Sequence, residues 1–391
     1  MVLPGTNGLR QSSFGMHKRL VDFWCKANKA TLWAQLRRSD QLPVLHGLFR
    51  TVYAADSMPK PGPYGGELAL IERIRRDSAG RRSRFLTLGI GDDCAILRPP
   101  AGHEVLVTTD FTIEGRHFRR DWHSPESVGR RCLARGLSDL AAMGATPMAA
   151  FLSLALPRGC KRGWIDRFFV GLRALGDRFS VPLAGGDTAE SPAELIFADI
   201  TLVGTAPAGR ALRRSGARVG DVLYVTGQLG GAAAELDLLQ SGRGLRVRTD
   251  EKGEHPQMFP EPRLAIGQAL LRRGLAAACI DVSDGLSTDL AHLCRESGVA
   301  AEVDEAALPI HRLAEKLVPE AALRAALHGG EDYELLFTAR ASTRVPKQIA
   351  GVAITPIGRM VKARAGKAEA LLVRADGTRE ELKPGGWEHL R

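Results

Sequence analysis

The sequence predicts a mixed α/β or α+β chain of two domains behind a basic N-terminal extension, and three observations carry that reading. At 391 residues the chain exceeds the roughly 100–200 residues of a single domain. From Glu67 onward, strand-like and helix-like segments alternate, separated by Gly and Pro turns. A second series of the same kind follows the Arg-rich turn from Gly209 to Gly216, which divides the chain into 63–207 and 208–391.

Residues 1–62 show no sustained periodicity beyond a short helix expected over Lys18–Leu36, and Met58-Pro-Lys-Pro-Gly-Pro closes them as a breaker-rich linker. They read as a disordered appendage, or as sequence upstream of a true start at Met58. An Arg-rich, acid-poor beginning also fits a targeting peptide, against which stand three acids and no clean amphipathic face. The first domain then opens with a helix over Glu67–Arg76, whose Leu68, Ile71 and Ile74 or Leu70 share a face. Val105–Thr109 follows as a strand and Val128–Met143 as a helix stopped by Gly144, with Pro147 beyond. Phe151–Leu156 is a strand, Trp164–Phe179 a helix and Ile196–Gly204 a strand. In the second domain Val222–Thr226, Cys279–Val282, Glu334–Thr338 and Leu371–Val373 read as strands, and Gly230–Gln240, Leu264–Arg273 and Leu286–Ser297 as helices.

Composition removes several function classes. No apolar run approaches the ~20 residues that span a bilayer, so a membrane role is not expected. The net charge of +10 is concentrated in residues 1–62, where nine Lys/Arg against three acids give +6 and leave +4 for the other 329 residues. Without a dense basic run or interleaved aromatics there, nucleic acid is not an expected partner; a basic RNA-binding protein with the extension as its arm is the less favoured alternative. Six cysteines without a CxxC pair suit reduced, buried thiols and a cytoplasmic setting.

The aspartates carry the chemistry. Asp92 and Asp93 (Gly-Ile-Gly-Asp-Asp), Asp110 (Thr-Thr-Asp), Asp139 (Leu-Ser-Asp-Leu), Asp187 (Gly-Gly-Asp-Thr), and Asp281 and Asp284 (Ile-Asp-Val-Ser-Asp-Gly) sit at strand ends or glycine turns, where α/β sheets present ligand groups. Each alone would be a turn former or cap. Gathered in one cleft they would repel one another unless cations intervene, and all-oxygen ligands suit several Mg2+ ions bridging to phosphates. Glycine, 43 of 391 residues against an average near 7%, collects beside these acids, where bare backbone N–H groups can approach an anion. Gly227-Gln-Leu-Gly-Gly opens a helix whose positive end suits phosphate. No Gly-x-x-x-x-Gly-Lys-Ser/Thr stretch and no complete protein-kinase set occurs, so a bound nucleotide would use another scaffold.

Eight motifs stand in the order found in thiamine-monophosphate kinases, which residues 65–391 resemble: Gly-Ile-Gly-Asp-Asp-Cys-Ala (89–95), Thr-Thr-Asp (108–110), Glu-Gly-Arg-His-Phe (114–118), Leu-Ser-Asp-Leu-Ala-Ala-Met-Gly-Ala (137–145), Gly-Gly-Asp-Thr (185–188), Gly-Arg-Ala-Leu-Arg-Arg-Ser-Gly-Ala (209–217), Ile-Asp-Val-Ser-Asp-Gly-Leu (280–286) and Gly-Gly-Glu-Asp-Tyr-Glu-Leu (329–335). The resemblance implies a two-domain fold like that of aminoimidazole ribonucleotide synthetase, a homodimer in which two N-terminal domains pair into a β-barrel, and ATP with Mg2+ used to phosphorylate thiamine monophosphate to thiamine diphosphate. It implies metal positions at Asp93, Thr108, Thr109, Asp110, Asp139, Asp187, Asp281 and Asp284, and nucleotide positions at Gly186, Asp187, Arg214 and Ser283. Substrate positions fall at His117, Glu331 and Trp387, and Asp187, Arg214 and Asp284 become the residues closest to the chemistry. Phe111 and Arg116 depart from the family pattern, with consequences for the substrate end; the polar stretch Ser241–Phe259 reads as a long loop or lid, and the extension has no family counterpart. Among relatives on the same scaffold, the hydrogenase-maturation type would end in a reactive cysteine, whereas this chain ends His-Leu-Arg, and selenophosphate synthetase would carry a reactive Cys in a Gly-rich loop ahead of Gly89.

Overall fold

Ser124 is the residue from which the positioning of the site begins. Its hydroxyl accepts the Ser127 N–H at 3.2 Å and Pro125 follows it, so the chain enters a helix there. That helix is the second in the computed structural model, which describes residues 66–80, 83–244, 247, 253–363 and 369–387. The expected extension 1–62, with its helix over 18–36, lies outside the described residues. In chain order the first half contains α1 (Glu67–Ser78), β1 (Leu86–Leu88), β2 (Ile96–Leu97), β3 (His103–Ile113), α2 (Pro125–Ala142), β4 (Thr146–Leu156), α3 (Arg162–Phe179), β5 (Leu183–Glu190) and β6 (Phe197–Pro207).

Strands β3, β6, β4 and β5 form one sheet in that order, antiparallel except for β4 and β5, which run parallel through the α3 crossover. Helices α2 and α3 cover one face. Their axes approach closely because each offers a glycine: a Cβ on Gly129 would lie 1.9 Å from the Phe168 carbonyl oxygen, and one on Gly171 would lie 1.9 Å from that of Glu126. Alternation along β3 sends Leu106 and Thr112 under the helices and leaves Val105, Val107 and Phe111 on the other face, 50%, 66% and 59% exposed.

The second half runs β7 (Val222–Thr226), α4 (Gly231–Gln240), α5 (Leu264–Arg272), β8 (Ala278–Val282), α6 (Leu286–Ser297), β9 (Ala300–Asp304), α7 (Pro319–His328), β10 (Glu334–Ala339), β11 (Gln348–Ile349), β12 (Val352–Val361), β13 (Ala370–Val373) and β14 (Arg379–Glu381). Its sheet has the order β14-β13-β9-β12-β7-β10-β8, with β11 beside β12, and only β9 and β13 pair in parallel. Every residue of β8 and β10 is buried. Their near-continuous apolar runs are those of strands covered on both faces. Helix α2 touches both halves: it packs on α3, β3 and β6, and on α5 and β8 of the second half.

The segments expected as helices and strands appear within a few residues of their expected ends, and those over 222–226 and 286–297 coincide with β7 and α6. Gly185-Gly186-Asp187-Thr188 differs: it lies within β5 and is not a turn. Gly186 has φ 147°, and a Cβ there would meet the Leu152 carbonyl oxygen at 1.9 Å, so the glycine serves close strand approach. Strands β9 and β12 and helix α7 were not expected. Among the described residues the cysteines are free thiols, four buried and Cys94 exposed.

Candidate active site

Arg131, Arg135, Ser138 and Asp139 recur along α2 at the spacing that puts side chains on one helical face, here the face turned to the second half. Arg131 is 1% exposed. Its Nη2 lies 2.7 Å from Glu331 Oε1 and donates to the His117 carbonyl at 3.0 Å, and Nη1 donates to the Gln257 carbonyl. One turn on, Arg135 donates from Nε to Asp110 at 2.9 Å and from Nη1 to Glu331 and the Tyr333 hydroxyl, both at 3.2 Å. Ser138 donates to Asp281 at 2.6 Å, and Asp139 accepts from the Thr108 hydroxyl. A single helix thus ties β3, β8 and the turn before β10 together.

Around this face lies a cavity of about 630 Å³, lined from the first half by Asp110, His117 and Asp139 and from the second by Asp281, Asp284 and Glu331, with Trp387 at its rim. The His117 Nδ1 accepts the Ile113 N–H at 3.0 Å, which leaves Nε2 as the nitrogen carrying hydrogen. Glu331 has φ 67° and Tyr333 φ 51°, left-handed backbone that non-glycine residues adopt at a cost. The strain is held by the Glu331 N–H donating to Ser283 O at 2.8 Å and the Tyr333 N–H donating to Val282 O at 2.9 Å. Trp387, 50% exposed, is tied down by its own N–H to Asp284 O at 3.0 Å.

Electrostatically the cavity is divided. Burial would raise Glu331, but the guanidinium groups of Arg131 and Arg135 overcome it and hold the carboxyl at about 2. The aspartates move the other way. Burial pushes Asp281 up to about 7, with Asp139 adding repulsion, and burial also raises Asp139 and Asp110, with Asp110 repelling the first and Asp281 the second. Arg214 stands near enough to Asp139 and Asp281 to oppose that rise. Surplus negative charge on oxygen ligands therefore remains in a buried place, the condition a hard divalent cation relieves.

The structure brings most of the expected residues together, but not all of them. Thr109, Asp110, His117, Asp139, Asp281, Ser283, Asp284, Glu331 and Trp387 line one cavity, and Thr108 reaches it through Asp139. Asp93, Gly186, Asp187 and Arg214 are not among the lining residues. Asp187 pairs in register with Ser153 on the sheet's open face, the face on which the Thr109 hydroxyl donates to Asp199 at 2.8 Å. Asp93 lies in the turn before β2. Among the described residues no three His, Cys, Asp or Glu side chains form a ready-made metal cage. Most of the expected set thus lines the cavity, Asp187 lies on the sheet's open face, and Arg214 stands beside the cavity acids Asp139 and Asp281.

Two sequence expectations are corrected. The N-terminus of α4 does not offer its amides to phosphate, because Asp332 already accepts from Gly230 N at 2.7 Å and Ala232 N at 3.2 Å. Phe111 does not shape the substrate end: its ring is on the open sheet face, whereas Arg116 does line the cavity. Sequence reasoning missed Arg131, Arg135, Tyr333, Trp122 and Gln257, all of which line or brace the cavity. The i, i+4 pair Arg131 and Arg135 on a helix that buries Val128, Cys132, Leu133 and Leu137 was the available signal for two of them.

Residues 91–206 match the family described as AIR synthase related protein, N-terminal domain, and residues 218–371 match its C-terminal domain counterpart. The chain is 40% identical over 334 residues to the thiamine-monophosphate kinase of Escherichia coli (strain K12), covering 83% of this chain and 98% of that one. A crystal structure of thiamine-monophosphate kinase from Stenotrophomonas maltophilia K279a matches with a TM-score of 0.66 and 38% identity, covering 76% of this chain and 96% of the other. AaThiL complexed with AMPPCP and TMP matches at 0.64 and 31%, covering 83% and 97%. With its motifs in order, its two AIR synthase-like halves and a relative 40% identical over nearly that relative's whole length, the chain belongs to the thiamine-monophosphate kinase family.

Proposed function

We propose that the protein transfers the γ-phosphoryl group of ATP to thiamine monophosphate, yielding thiamine diphosphate and ADP. The observation that carries this reading is the single cavity in which His117, Glu331 and Trp387 face Asp110, Asp139, Asp281 and Asp284. Trp387 offers a half-exposed ring for stacking on a heteroaromatic acceptor. Glu331, ionised down to about pH 2, accepts hydrogen bonds from the acceptor's amino group, and His117 lines the wall of the same cavity. A phosphate oxygen of thiamine monophosphate attacks the γ-phosphorus in line; that O–P bond forms as the bridge to the β-phosphate breaks, and ADP departs with the electron pair. Because the attacking monoester is already ionised near neutral pH, no side chain has to remove a proton.

Asp110, Asp139, Asp281 and Asp284 would hold Mg2+ on the cavity side, and Asp93, Thr109 and Asp187 on the sheet side. When bound, the ions neutralise triphosphate charge and polarise its γ-phosphate. Arg214, near Asp139 and Asp281, supplies a further cation for the polyphosphate. Gly186 and Ser283 are the backbone positions against which the nucleotide would lie. Purified protein incubated with ATP and Mg2+ is expected to convert thiamine monophosphate to thiamine diphosphate, and a chelator to abolish the conversion. Turnover of an aminoimidazole precursor or of selenide in place of thiamine monophosphate would move the protein to another reaction on this scaffold.

The open sheet face supports a homodimer, as the family resemblance implies. Val105, Val107 and Phe111 form an apolar stripe that nothing among the described residues covers, on the face that also carries Asp187 and Thr109. Pairing two such faces would close a β-barrel and bring the sheet-side acids under cover. Phe111→Asp is expected to halve the mass measured by sedimentation equilibrium and to lower turnover with it; a variant that sediments as wild type would count against the barrel.

A further inference from the structure

Gln257 is 2% exposed and every polar group on it but one is held. Its N–H donates to Glu235 Oε2 at 2.8 Å, and its carbonyl accepts from Arg131. Glu235, itself buried in α4, also pairs with His255 Nδ1 at 2.7 Å and accepts Met258 N–H at 3.4 Å. Met258 and Phe259 pack with Leu239 against Trp122. The segment 255–259 is therefore pinned both to α4 and to the helix that carries the arginines. From this fixed backbone the side-chain Nε2 of Gln257 donates to Glu331 Oε2 at 2.8 Å.

Glu331 has two oxygens with different partners. Oε1 receives Arg131 and Arg135, at 2.7 and 3.2 Å, and Oε2 receives Gln257. Two guanidinium groups on one oxygen pull the carboxylate toward a bidentate arrangement, in which both oxygens would face α2 and none the cavity. The Gln257 amide opposes that rotation. The Gln257 Oε1 is buried and without a partner, so turning the amide over would set oxygen against carboxylate; only the observed orientation is tolerated.

We infer that Gln257 is a positioning residue that fixes the rotation of the Glu331 carboxylate, so that Oε2 keeps a lone pair directed at an amino donor of the acceptor substrate. The inference rests on the reading above that Glu331 meets thiamine monophosphate. It gives a role to Gln257, within a stretch that the sequence showed only as polar and rich in charge, and makes residues 255–259 part of acceptor specificity.

The test is a double-mutant cycle in steady-state kinetics, with Gln257→Met, Glu331→Gln and the double variant, thermal melts confirming folding. Met keeps the unbranched shape and removes the donor. Gln257→Met is expected to raise KM for thiamine monophosphate roughly tenfold, the cost of one lost hydrogen bond to a charged group, while KM for ATP stays within about twofold. Glu331→Gln raises the same KM, and the double variant is no worse than Glu331→Gln alone. An unchanged KM in Gln257→Met, or costs that multiply in the double variant, overturns the inference. Should Gln257→Met not fold, Gln257→Leu, which removes the same donor without adding charge, asks the same question. A wild-type protein that fails to phosphorylate thiamine monophosphate defeats the functional reading itself, a result separate from the behaviour of the Gln257 variants.

Discussion

Asp281→Asn is expected to lower phosphoryl transfer roughly a thousandfold, a loss of the size seen when one preorganised charge-stabilising group is removed, and to leave the fold at least as stable as before. The two effects have one source. Asp281 is 3% exposed in β8, with Ser138 donating to it at 2.6 Å and Asp139 adding charge nearby, so burial and repulsion raise its carboxyl to about 7. A raised acid binds its proton more tightly folded than unfolded. Its destabilisation is absent below about pH 4, grows as the unfolded chain loses its proton, and is complete above about pH 7. Asn carries no charge, still accepts from Ser138, and removes that destabilisation, on the order of a few kcal/mol. Thermal melts of chelator-treated protein at pH 5 and pH 8 should show wild type losing more melting temperature than Asp281→Asn between the two. A variant that keeps activity within tenfold, or that melts below wild type at pH 8, would remove Asp281 from the proposed metal site.

That a residue can be costly to the fold and central to the site explains which parts of this protein the sequence discloses. Apolar periodicity places elements such as β7 and α6, because helices and strands bury their faces at fixed spacings. It fails at β5, where Ala-Gly-Gly-Asp has the composition of a turn, and only the nearness of Leu152 to Gly186 shows why glycine stands in a strand. The aspartates were visible as a pattern of charge beside glycine. Their division into a cavity group and a sheet-face group depends on the alternation of β3 and the register of β4 with β5, which a list of motifs does not contain. Arg131 and Gln257 were hidden for a different reason: the partners that give them meaning are 200 and 74 residues away in sequence.

The largest structural effect is expected at Arg131. Replacing it with Met leaves the Glu331 carboxylate in its half-buried place with Arg135 as the remaining guanidinium and takes a donor from the carbonyls of His117 and Gln257. Breaking a buried pair from one side costs about 3–5 kcal/mol when the charge is left alone; with Arg135 and Gln257 still on Glu331, the loss lies at the low end of that range. At roughly 2–4 °C per kcal/mol, the melting temperature should fall by about 10 °C. The loss has a pH signature. Wild-type Glu331, held at about 2, contributes stability that is complete above the ordinary glutamate range and disappears only as pH falls through about 2. Without Arg131 that carboxyl titrates at higher pH, so Arg131→Met should destabilise most at neutral pH and converge toward wild type in acid. Arg131→Lys should fall between the two, since one ammonium can meet Glu331 but cannot reach three acceptors from a planar fork. The decisive variant is the double one: Arg131→Met with Glu331→Gln removes the stranded charge as well, and should regain much of the lost stability while regaining none of the affinity for thiamine monophosphate. Were the double variant as unstable as Arg131→Met alone, the arginine would be acting through packing along α2, and its pairing with Glu331 would be incidental to the fold.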